Sequence, residues 1–226
     1  MTLAISPEVE TRARGSRGTS GDEILSMVVR TIERRRIGGE CVVDVGCGRG
    51  DLYHCLGSRF SRYVGVDAVR YEDFPEQQSF CHLDLDSGTI PLAEETADVV
   101  AAVETIEHLE NPRGFMRQLV RLVKPGGWII ITTPNQLSLL SLLTLVLKQR
   151  FQAFQDCHYP AHLTALLEID LRRIATECGL LNVEIDYSLA GRLPGTGKHY
   201  PRWLSEVFPR ALSENILMSA QRRASR

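Results

Sequence analysis

The sequence has no long apolar run, no paired cysteine motif and little excess of charge of either sign. None of its 6 cysteines forms a Cys-x-x-Cys pair or follows zinc-finger spacing, which argues against a disulfide scaffold and a zinc module. No window reaches the ~18 apolar residues of a membrane span, and residues 1–18 lack the apolar core of a signal peptide. The formal net charge of -2 gives no reason to expect a nucleic-acid partner. We therefore expect a cytoplasmic protein with reduced, structural thiols.

The composition is that of an ordinary globular chain. Hydrophobic residues make up 43% of the 226 positions and charged residues 24%, which excludes a wholly disordered chain. A chain of this length fits one domain. Residues 1–20 are polar and rich in Arg, Ser and Gly, so we predict a flexible N-terminus followed by a single domain over residues 21–226.

Short apolar segments alternate with amphipathic segments along most of the chain. The apolar segments predict strands at 41–45, 63–67, 80–83, 97–103, 128–133, 183–187 and 215–220. The amphipathic segments predict helices at 22–36, 51–59, 112–123, 166–178 and 203–212. Strands that alternate with helices predict an α/β fold with a parallel sheet and right-handed crossovers.

A glycine-rich turn follows the first predicted strand. Gly46, Gly48 and Gly50 stand at alternate positions, and glycine permits positive φ and close approach of a ligand to the backbone. The spacing departs from the Gly-x-Gly-x-x-Gly of dinucleotide sites. Asp44, at the end of the strand, would repel a phosphate but suits a neighbouring ammonium group. A strand-to-helix turn without a ligand remains the alternative for this motif alone.

Two further acidic positions follow neighbouring strands. Asp67 closes the second strand, where a carboxylate can accept hydrogen bonds from both hydroxyls of a ribose. Asp84 follows the third strand and can accept from an adenine amino group, with Leu85 against the ring. Each acid alone could equally be solvated. Together they predict a nucleotide-like ligand at the carboxyl ends of the strands.

In combination these motifs resemble the class I S-adenosylmethionine-dependent methyltransferases. The matching segments, in the family's order and spacing, are VVDVGCGRGDL (42–52), GVD (65–67), LDL (83–85), ADVVAAVETIEHLENP (97–112), LVKPGGWIIITTPN (122–135) and HLTALLEIDLRRIATECGL (162–180). The resemblance implies a three-layer Rossmann-like sandwich. Its seven-stranded sheet would be mostly parallel with an antiparallel last strand, and an α-helical lid insert would occupy about 136–165.

The resemblance also implies S-adenosyl-L-methionine as the cofactor, with a role for each matching position. Asp44 would lie near the amino group of its amino-acid moiety. The backbone of Gly46, Cys47 and Gly48 would pack against that moiety. Asp67 would bind the ribose hydroxyls.

The remaining positions of the resemblance concern the two ends of the cofactor. Ala68 would lie beside the adenine, and Asp84 and Leu85 would contact it. Val103 and Glu104, at the end of the fourth strand, would flank the methionine part.

Methyl transfer from a sulfonium needs a held nucleophile more than a catalytic triad, and the sequence offers no triad. His108 is the predicted catalytic proton acceptor because an ordinary imidazole pKa near 6.5 suits the task. His158 and His162 are the next candidates. The alternative for His108 is a residue that hydrogen-bonds the backbone and orders its loop.

A sharper alternative involves a metal ion. Glu104, Glu107, His108 and His162 resemble the metal-binding set of small-RNA 3′-terminal 2′-O-methyltransferases, and mixed O and N ligands would suit Mg²⁺ or Mn²⁺. RNA recognition needs a basic groove with stacking aromatics, which the composition does not favour. We therefore expect no metal, and a small or medium organic acceptor methylated at oxygen.

Two rivals come from other classes of protein. A binding module could keep the cofactor pocket without turnover, although the retained acids and imidazole argue mildly against it. A nicotinamide-dependent oxidoreductase is disfavoured by the glycine spacing, by Asp44 and by the lack of a Tyr-x-x-x-Lys pair.

The apolar segment Leu137–Leu147 predicts a helix within the lid insert. We expect it to extend over 137–151 and to be buried over the sheet. A cap over a lipid-like acceptor, a peripheral membrane contact or a contact with a second subunit are the functional alternatives. The stretch from Thr133 to Leu180 resembles the bacterial glycan or secondary-metabolite type of methyltransferase. The sequence leaves the oligomeric state open.

Overall fold

A computed structural model describes residues 5–224. Residues 1–4 of the expected flexible N-terminus and residues 225–226 of the expected domain lie outside the described part. The helices are α1 Pro7–Gly15, α2 Asp22–Arg34, α3 Asp51–Leu56, α4 Pro112–Leu122, α5 Leu139–Lys148, α6 Glu168–Glu177 and α7 Arg202–Val207. The strands are β1 Cys41–Val45, β2 Arg62–Asp67, β3 Ser79–His82, β4 Ala97–Ala102, β5 Val123–Pro134, β6 Leu181–Tyr187 and β7 Asn215–Gln221.

All seven strands form one sheet in the order β3-β2-β1-β4-β5-β7-β6. Neighbours from β3 to β5 pair in parallel. The last strand, β7, runs antiparallel to both β5 and β6. This topology confirms the predicted mostly parallel seven-stranded sheet with its antiparallel last strand.

The sheet is covered on both faces, which gives three layers. Every residue of β1 is buried, as expected for a parallel strand between two helical layers. One apolar cluster joins β1, β2 and β4 to α2 and α3, and a second joins the other face to α4 and α6. Successive residues of β5 point to opposite faces of the sheet. Ile130 packs in the first cluster, and Ile129 and Ile131 pack in the second.

The N-terminal segment contains a helix that the sequence analysis did not predict. Within the segment 1–20 that was expected to be flexible, Pro7–Gly15 form α1. The Ser6 side chain accepts a hydrogen bond from the Val9 N–H, and Pro7 begins the helix. Arg12 of this helix bonds to Asp86 at 2.8 Å, so α1 is tied to the loop after β3.

The insert helix α5 is a correction to the sequence expectations. It is shorter than the predicted 137–151, because Ser138 caps its start and Gln149 ends it in the left-handed conformation. It is also not a buried helix. Val146 and Leu147 are each 80% exposed, and the side chains that it buries are those of Ser141 and Thr144.

The remaining helices and strands differ from the predictions mainly at their ends. Helix α7 stops at Val207 rather than at residue 212, and β6 begins at Leu181 rather than at residue 183. Strand β5 begins at Val123, with a register shift against β4 around the Pro125-Gly126-Gly127 turn. All six cysteines are free thiols. Within residues 5–224 no helix is both long and apolar enough to cross a bilayer.

Candidate functional site

A cavity of about 220 Å³ opens at the carboxyl ends of β1, β2 and β4. The strand order reverses between β1 and β4, which is where open α/β sheets bind ligands. All eleven residues predicted for the site line this cavity. They are Asp44, Gly46, Cys47, Gly48, Asp67, Ala68, Asp84, Leu85, Val103, Glu104 and His108.

The glycine turn is shaped by contacts that exclude a side chain. Gly46 has φ of 80°, and a Cβ there would overlap the Thr105 side chain. Gly48 has φ of 51°, and a Cβ there would overlap the Gly18 carbonyl of the N-terminal segment. Glycine is required at both positions by backbone conformation and by space. The turn therefore presents bare backbone to the cavity.

Asp67 at the end of β2 holds the turn while facing the cavity. Its Oδ2 accepts the Gly48 N–H at 2.8 Å, and its Oδ1 accepts the Val69 N–H at 3.0 Å. Burial raises the pKa of this carboxyl. A carboxylate oxygen can accept about two hydrogen bonds, so each oxygen of Asp67 keeps acceptor capacity for a ligand.

Asp44 is buried at the end of β1. Its Oδ2 accepts a hydrogen bond from the Tyr63 hydroxyl. Its Oδ1 is buried and has no hydrogen-bond partner among residues 5–224. Burial raises the pKa of Asp44 to about 7. An unpaired carboxylate oxygen at a cavity wall fits a cationic group of a ligand.

The loop after β3 supplies the third acidic position. Asp84 Oδ1 accepts the Asp86 N–H at 3.0 Å, which forms an Asx turn. Leu85 lies between them in the chain and lines the cavity. Ala68 also lines the cavity, and its carbonyl bonds to the His82 ring at 2.7 Å. Local hydrogen bonds thus hold both of these segments.

Glu104 follows β4 in the left-handed conformation, with φ of 49°. Its Oε1 accepts from the Thr132 hydroxyl at 3.2 Å, and its Oε2 accepts from the Asn215 amide at 3.0 Å. Burial raises the pKa of Glu104 to about 7. The side chain is therefore tied to β5 and β7.

His108 closes a 3₁₀ turn that begins at Ile106. Its Nδ1 bonds to the Ala161 carbonyl at 2.7 Å, so the loop-ordering contact that the sequence left open is present. Burial lowers the pKa of His108, which keeps the ring neutral near pH 7. Its ring lies edge-on to that of His162, with centroids 4.8 Å apart.

The side chains predicted as further proton acceptors or as metal ligands are only partly brought together. His162 lines the cavity, whereas His158 stacks on His162 without lining it. Glu107, His108 and His162 place their ligand atoms within 4.8 Å of one another. The four-residue set suggested by the sequence does not assemble as a set of four, because Glu104 is bound to β5 and β7.

Sequence reasoning missed an entire wall of the cavity. Residues from α1, from the following loop and from the start of α2 line it: Val9, Arg12, Ala13, Ser16, Gly18, Thr19, Ser20, Gly21, Ile24 and Leu25. The Tyr71 hydroxyl donates to the Ala13 carbonyl at 3.1 Å. The Arg49 N–H donates to the Gly18 carbonyl at 2.8 Å. The sequence did offer a signal for this helix: Ser6-Pro7 at its start, acidic residues in its first turn and arginines in its last turn.

The sheet order and a ligand cavity at the switch point define a Rossmann-like protein with a nucleotide-type site. Residues 21–185 match the family described as "Methyltransferase domain". The chain belongs to this family and is a class I S-adenosylmethionine-dependent methyltransferase.

Curated relatives agree with the family assignment. The ubiquinone biosynthesis O-methyltransferase of Burkholderia pseudomallei is 32% identical over 157 residues, or 65% of this chain and 67% of that protein. The mitochondrial ubiquinone biosynthesis O-methyltransferase of Schizosaccharomyces pombe is 30% identical over 129 residues, or 52% of this chain and 46% of that protein. The matched regions span from about half to two thirds of these relatives' lengths.

Solved structures agree on the fold. A SAM-dependent methyltransferase from Archaeoglobus fulgidus aligns with a TM-score of 0.63 at 19% identity, covering 88% of this chain and 94% of that one. An S-adenosylmethionine-dependent methyltransferase from Mesorhizobium loti aligns with a TM-score of 0.54 at 14% identity, covering 82% and 92%. At these identities the likeness concerns the fold alone.

Proposed function

We propose that this chain transfers the methyl group of S-adenosyl-L-methionine to an oxygen of a small or medium organic acceptor. The observation that carries the proposal is the convergence of all eleven predicted residues on one cavity at the switch point of the sheet. Transfer to oxygen is supported by the relatives, which are named as O-methyltransferases.

The cavity residues fit this cofactor, which supplies an activated methyl group when bound. The unpaired Oδ1 of Asp44 would receive the ammonium of the amino-acid moiety. The bare backbone from Gly46 to Gly48 would lie against the same moiety. Asp67 would accept the ribose hydroxyls with the capacity that its two backbone bonds leave free.

The two ends of the cofactor would meet different surroundings. Asp84 and Leu85 would contact the adenine, with Ala68 on the other side. Val103 and Glu104 would flank the methionine part. The chain's own contribution is then to bind, orient and exclude water, which is where most of the rate enhancement of a displacement of this kind arises.

The cofactor role is tested by calorimetry with S-adenosylhomocysteine. We expect one molecule to bind per chain. Asp67→Ala should weaken binding by about 10- to 100-fold, because two hydrogen bonds to a charged acceptor are lost. Asp156→Ala, a change at an exposed acid, should leave binding unchanged. If neither S-adenosylmethionine nor S-adenosylhomocysteine associates with the wild type, the proposal is wrong.

We propose that His108 promotes removal of the acceptor's proton. In a neutral ring whose Nδ1–H donates to the Ala161 carbonyl, the lone pair is on Nε2, and His108 lines the cavity. Assistance of this kind contributes about 10²- to 10⁴-fold. His108→Ala should lower kcat by about 10²-fold while S-adenosylhomocysteine binding stays within twofold. A normal kcat in the variant would remove His108 from the chemistry.

A further inference from the structure

A second cavity, of about 590 Å³, is separate from the cofactor cavity and shares no lining residue with it. It opens between the second half of α2, the end of β6 and the segment around α7. Its volume is in the range of small-molecule sites. Met27, Leu189 and Pro209 supply apolar walls, and three arginines supply positive charge. Methyl transfer at the first cavity makes no use of it.

The three arginines of this second cavity come from two elements. Arg30 and Arg34 lie one turn apart on α2, and Arg202 begins α7. Guanidinium groups stay protonated in proteins, so all three side chains bring positive charge to the same cavity. A planar guanidinium presents its N–H donors as a fork that matches phosphate and carboxylate oxygens. The lining therefore has the donor chemistry of an oxyanion site.

The acidic side chains that line the second cavity already have partners. Asp186 accepts hydrogen bonds from the Arg34 guanidinium and from the Thr31 hydroxyl, the latter at 3.2 Å. Glu33 forms an ion pair with Arg59, which does not line the cavity. The lining thus neutralises one of its three arginines and leaves the other two without a carboxylate of the cavity wall.

Arg30 is the less compensated of these two. It is half-buried, and it takes part in no ion pair among residues 5–224. Burial lowers the pKa of Arg30, and the positive charge of Arg202 lowers it further. The carboxylates of Glu23 and Asp186 act in the opposite direction, but neither forms an ion pair with it. Two like charges held near each other cost free energy, and a bound anion removes that cost.

Arg202 also keeps hydrogen-bond donors free. Its Nε donates to Glu206 at 3.2 Å, one turn further along α7, and both side chains are largely exposed. An exposed pair of this kind stabilises little. The Nη1 and Nη2 groups of Arg202 donate to no atom of residues 5–224. Two arginines on different helices therefore line one cavity with donors that the protein does not satisfy.

We propose that the three arginines form a binding site for the phosphate group of a phosphate ester. A tetrahedral phosphate can accept hydrogen bonds from guanidinium groups that approach from two helices, whereas a planar carboxylate matches a single guanidinium fork. The organic part of the ester lies against the apolar walls that Met27, Leu189 and Pro209 provide. The site does not depend on the proposed methyl transfer.

A phosphate ester can reach this site from two sources, as a soluble metabolite or as the headgroup of a phospholipid. A lipid would also meet Trp203 and Val207, which are exposed on the same short helix as Arg202. A soluble ester needs the cavity alone. The chemistry recognised by the arginines is the same in both cases, and the experiment separates the two sources.

The test titrates the full-length protein with phenyl phosphate by calorimetry, in chloride buffer of constant ionic strength. We expect one molecule to bind per chain. Arg30→Met and Arg202→Met keep an apolar stem and remove the charge. Each should lower the affinity by about 10- to 100-fold, because hydrogen bonds to a charged group are lost. Arg173→Met, at an exposed arginine of α6 on the other face of the sheet, is the matched control and should bind as the wild type does.

Thermal unfolding gives a second readout on the same variants. Phenyl phosphate should raise the Tm of the wild type and of Arg173→Met, and should leave that of Arg30→Met unchanged. Arg202→Met changes an exposed position, so it keeps the test decisive if Arg30→Met is unstable. The absence of saturable phenyl phosphate binding, or wild-type affinity in both methionine variants at the cavity, overturns the site.

Co-sedimentation with vesicles identifies the source of the phosphate. Sedimentation of the wild type but not of Arg202→Met with phosphatidylglycerol vesicles, and of neither with phosphatidylcholine vesicles, assigns a lipid headgroup. Binding of phenyl phosphate without sedimentation assigns a soluble ester. S-adenosylhomocysteine binding is measured on the same samples and should stay within twofold in every variant, so failure of the proposed function is recognised separately.

Discussion

Buried acidic side chains at the C-terminal ends of the strands determine most of the electrostatics of the site. Asp44, Asp67, Glu104 and Glu107 all have pKa values raised first by burial. Asp44 Oδ1 has no hydrogen-bond partner within residues 5–224. Buried carboxyl groups cost folding free energy, and the placement of Asp44, Asp67 and Glu104 around one cavity is typical of a functional site.

Asp44→Asn should change how stability depends on pH. The folded-state pKa of Asp44 is about 7, above its ordinary value of 3.8. The folded chain therefore binds the extra proton between these values, and its stability falls as pH rises from about 4 to about 7. Asparagine cannot ionise, so the variant should gain stability over the wild type at pH 8, by on the order of 4 kcal/mol at most.

Chemical denaturation at pH 5 and pH 8 measures this difference. Asp156→Asn at an exposed acid serves as the comparison and should show the wild-type dependence. A pH slope in Asp44→Asn equal to that of the wild type would contradict the raised pKa. S-adenosylhomocysteine binding should weaken in Asp44→Asn at pH 8, because the partner of the ammonium is lost.

At the scale of secondary structure elements, α1 is the most consequential feature. It lines the cavity, and the loop that follows it contacts the glycine turn at Gly18, although α1 lies outside the segment matched to the family at residues 21–185. Arg12 is its main anchor. The guanidinium lies 2.8 Å from Asp86 and 3.5 Å from Glu110, both in loops at the carboxyl edge of the sheet. These contacts hold the helix at the wall of the cavity.

Arg12→Ala should loosen the attachment of α1 to these loops. Amide hydrogen exchange over residues 7–15 should rise in the ligand-free chain, and S-adenosylhomocysteine affinity should fall about fivefold, which corresponds to about 1 kcal/mol. Arg14→Ala is the matched control, since Arg14 forms its ion pair with Glu10 of the same helix. Unchanged exchange in Arg12→Ala would mean that apolar contacts alone hold α1.

For the whole molecule, the sequence was most informative where a local motif lies at the C-terminal end of a predicted strand. Buried parallel strands read as continuous apolar runs, and the residues that end them meet at one edge whatever the details of the helices. This is why residues as distant as Asp44, Asp84 and His108 could be assigned to one site. The ligand-facing turn at Gly46 and Gly48 was equally predictable, because only glycine fits those backbone angles and contacts.

The sequence misled where polarity alone decided the prediction. Residues 7–15 are charged on most sides, so nothing in their pattern revealed the pairing of Arg12 with Asp86. Helix α5 is apolar around most of its circumference, so its sequence does not say which side faces the protein. In the structure, Ser141 and Thr144 face inward and bond to Gln152, which leaves the leucine side outward.

The succession of strands and helices along the chain, the glycine turn and the acids at or just after the ends of β1, β2 and β3 follow from the sequence itself, because each is a short-range pattern. The tertiary structure alone decided which side chains complete their bonds. It tied Glu104 to Thr132 and Asn215, placed Glu107 beside His108 and His162, and made α1 part of the cavity wall. Those outcomes depend on residues far apart in sequence, and contacts over such distances leave no periodic trace along the chain.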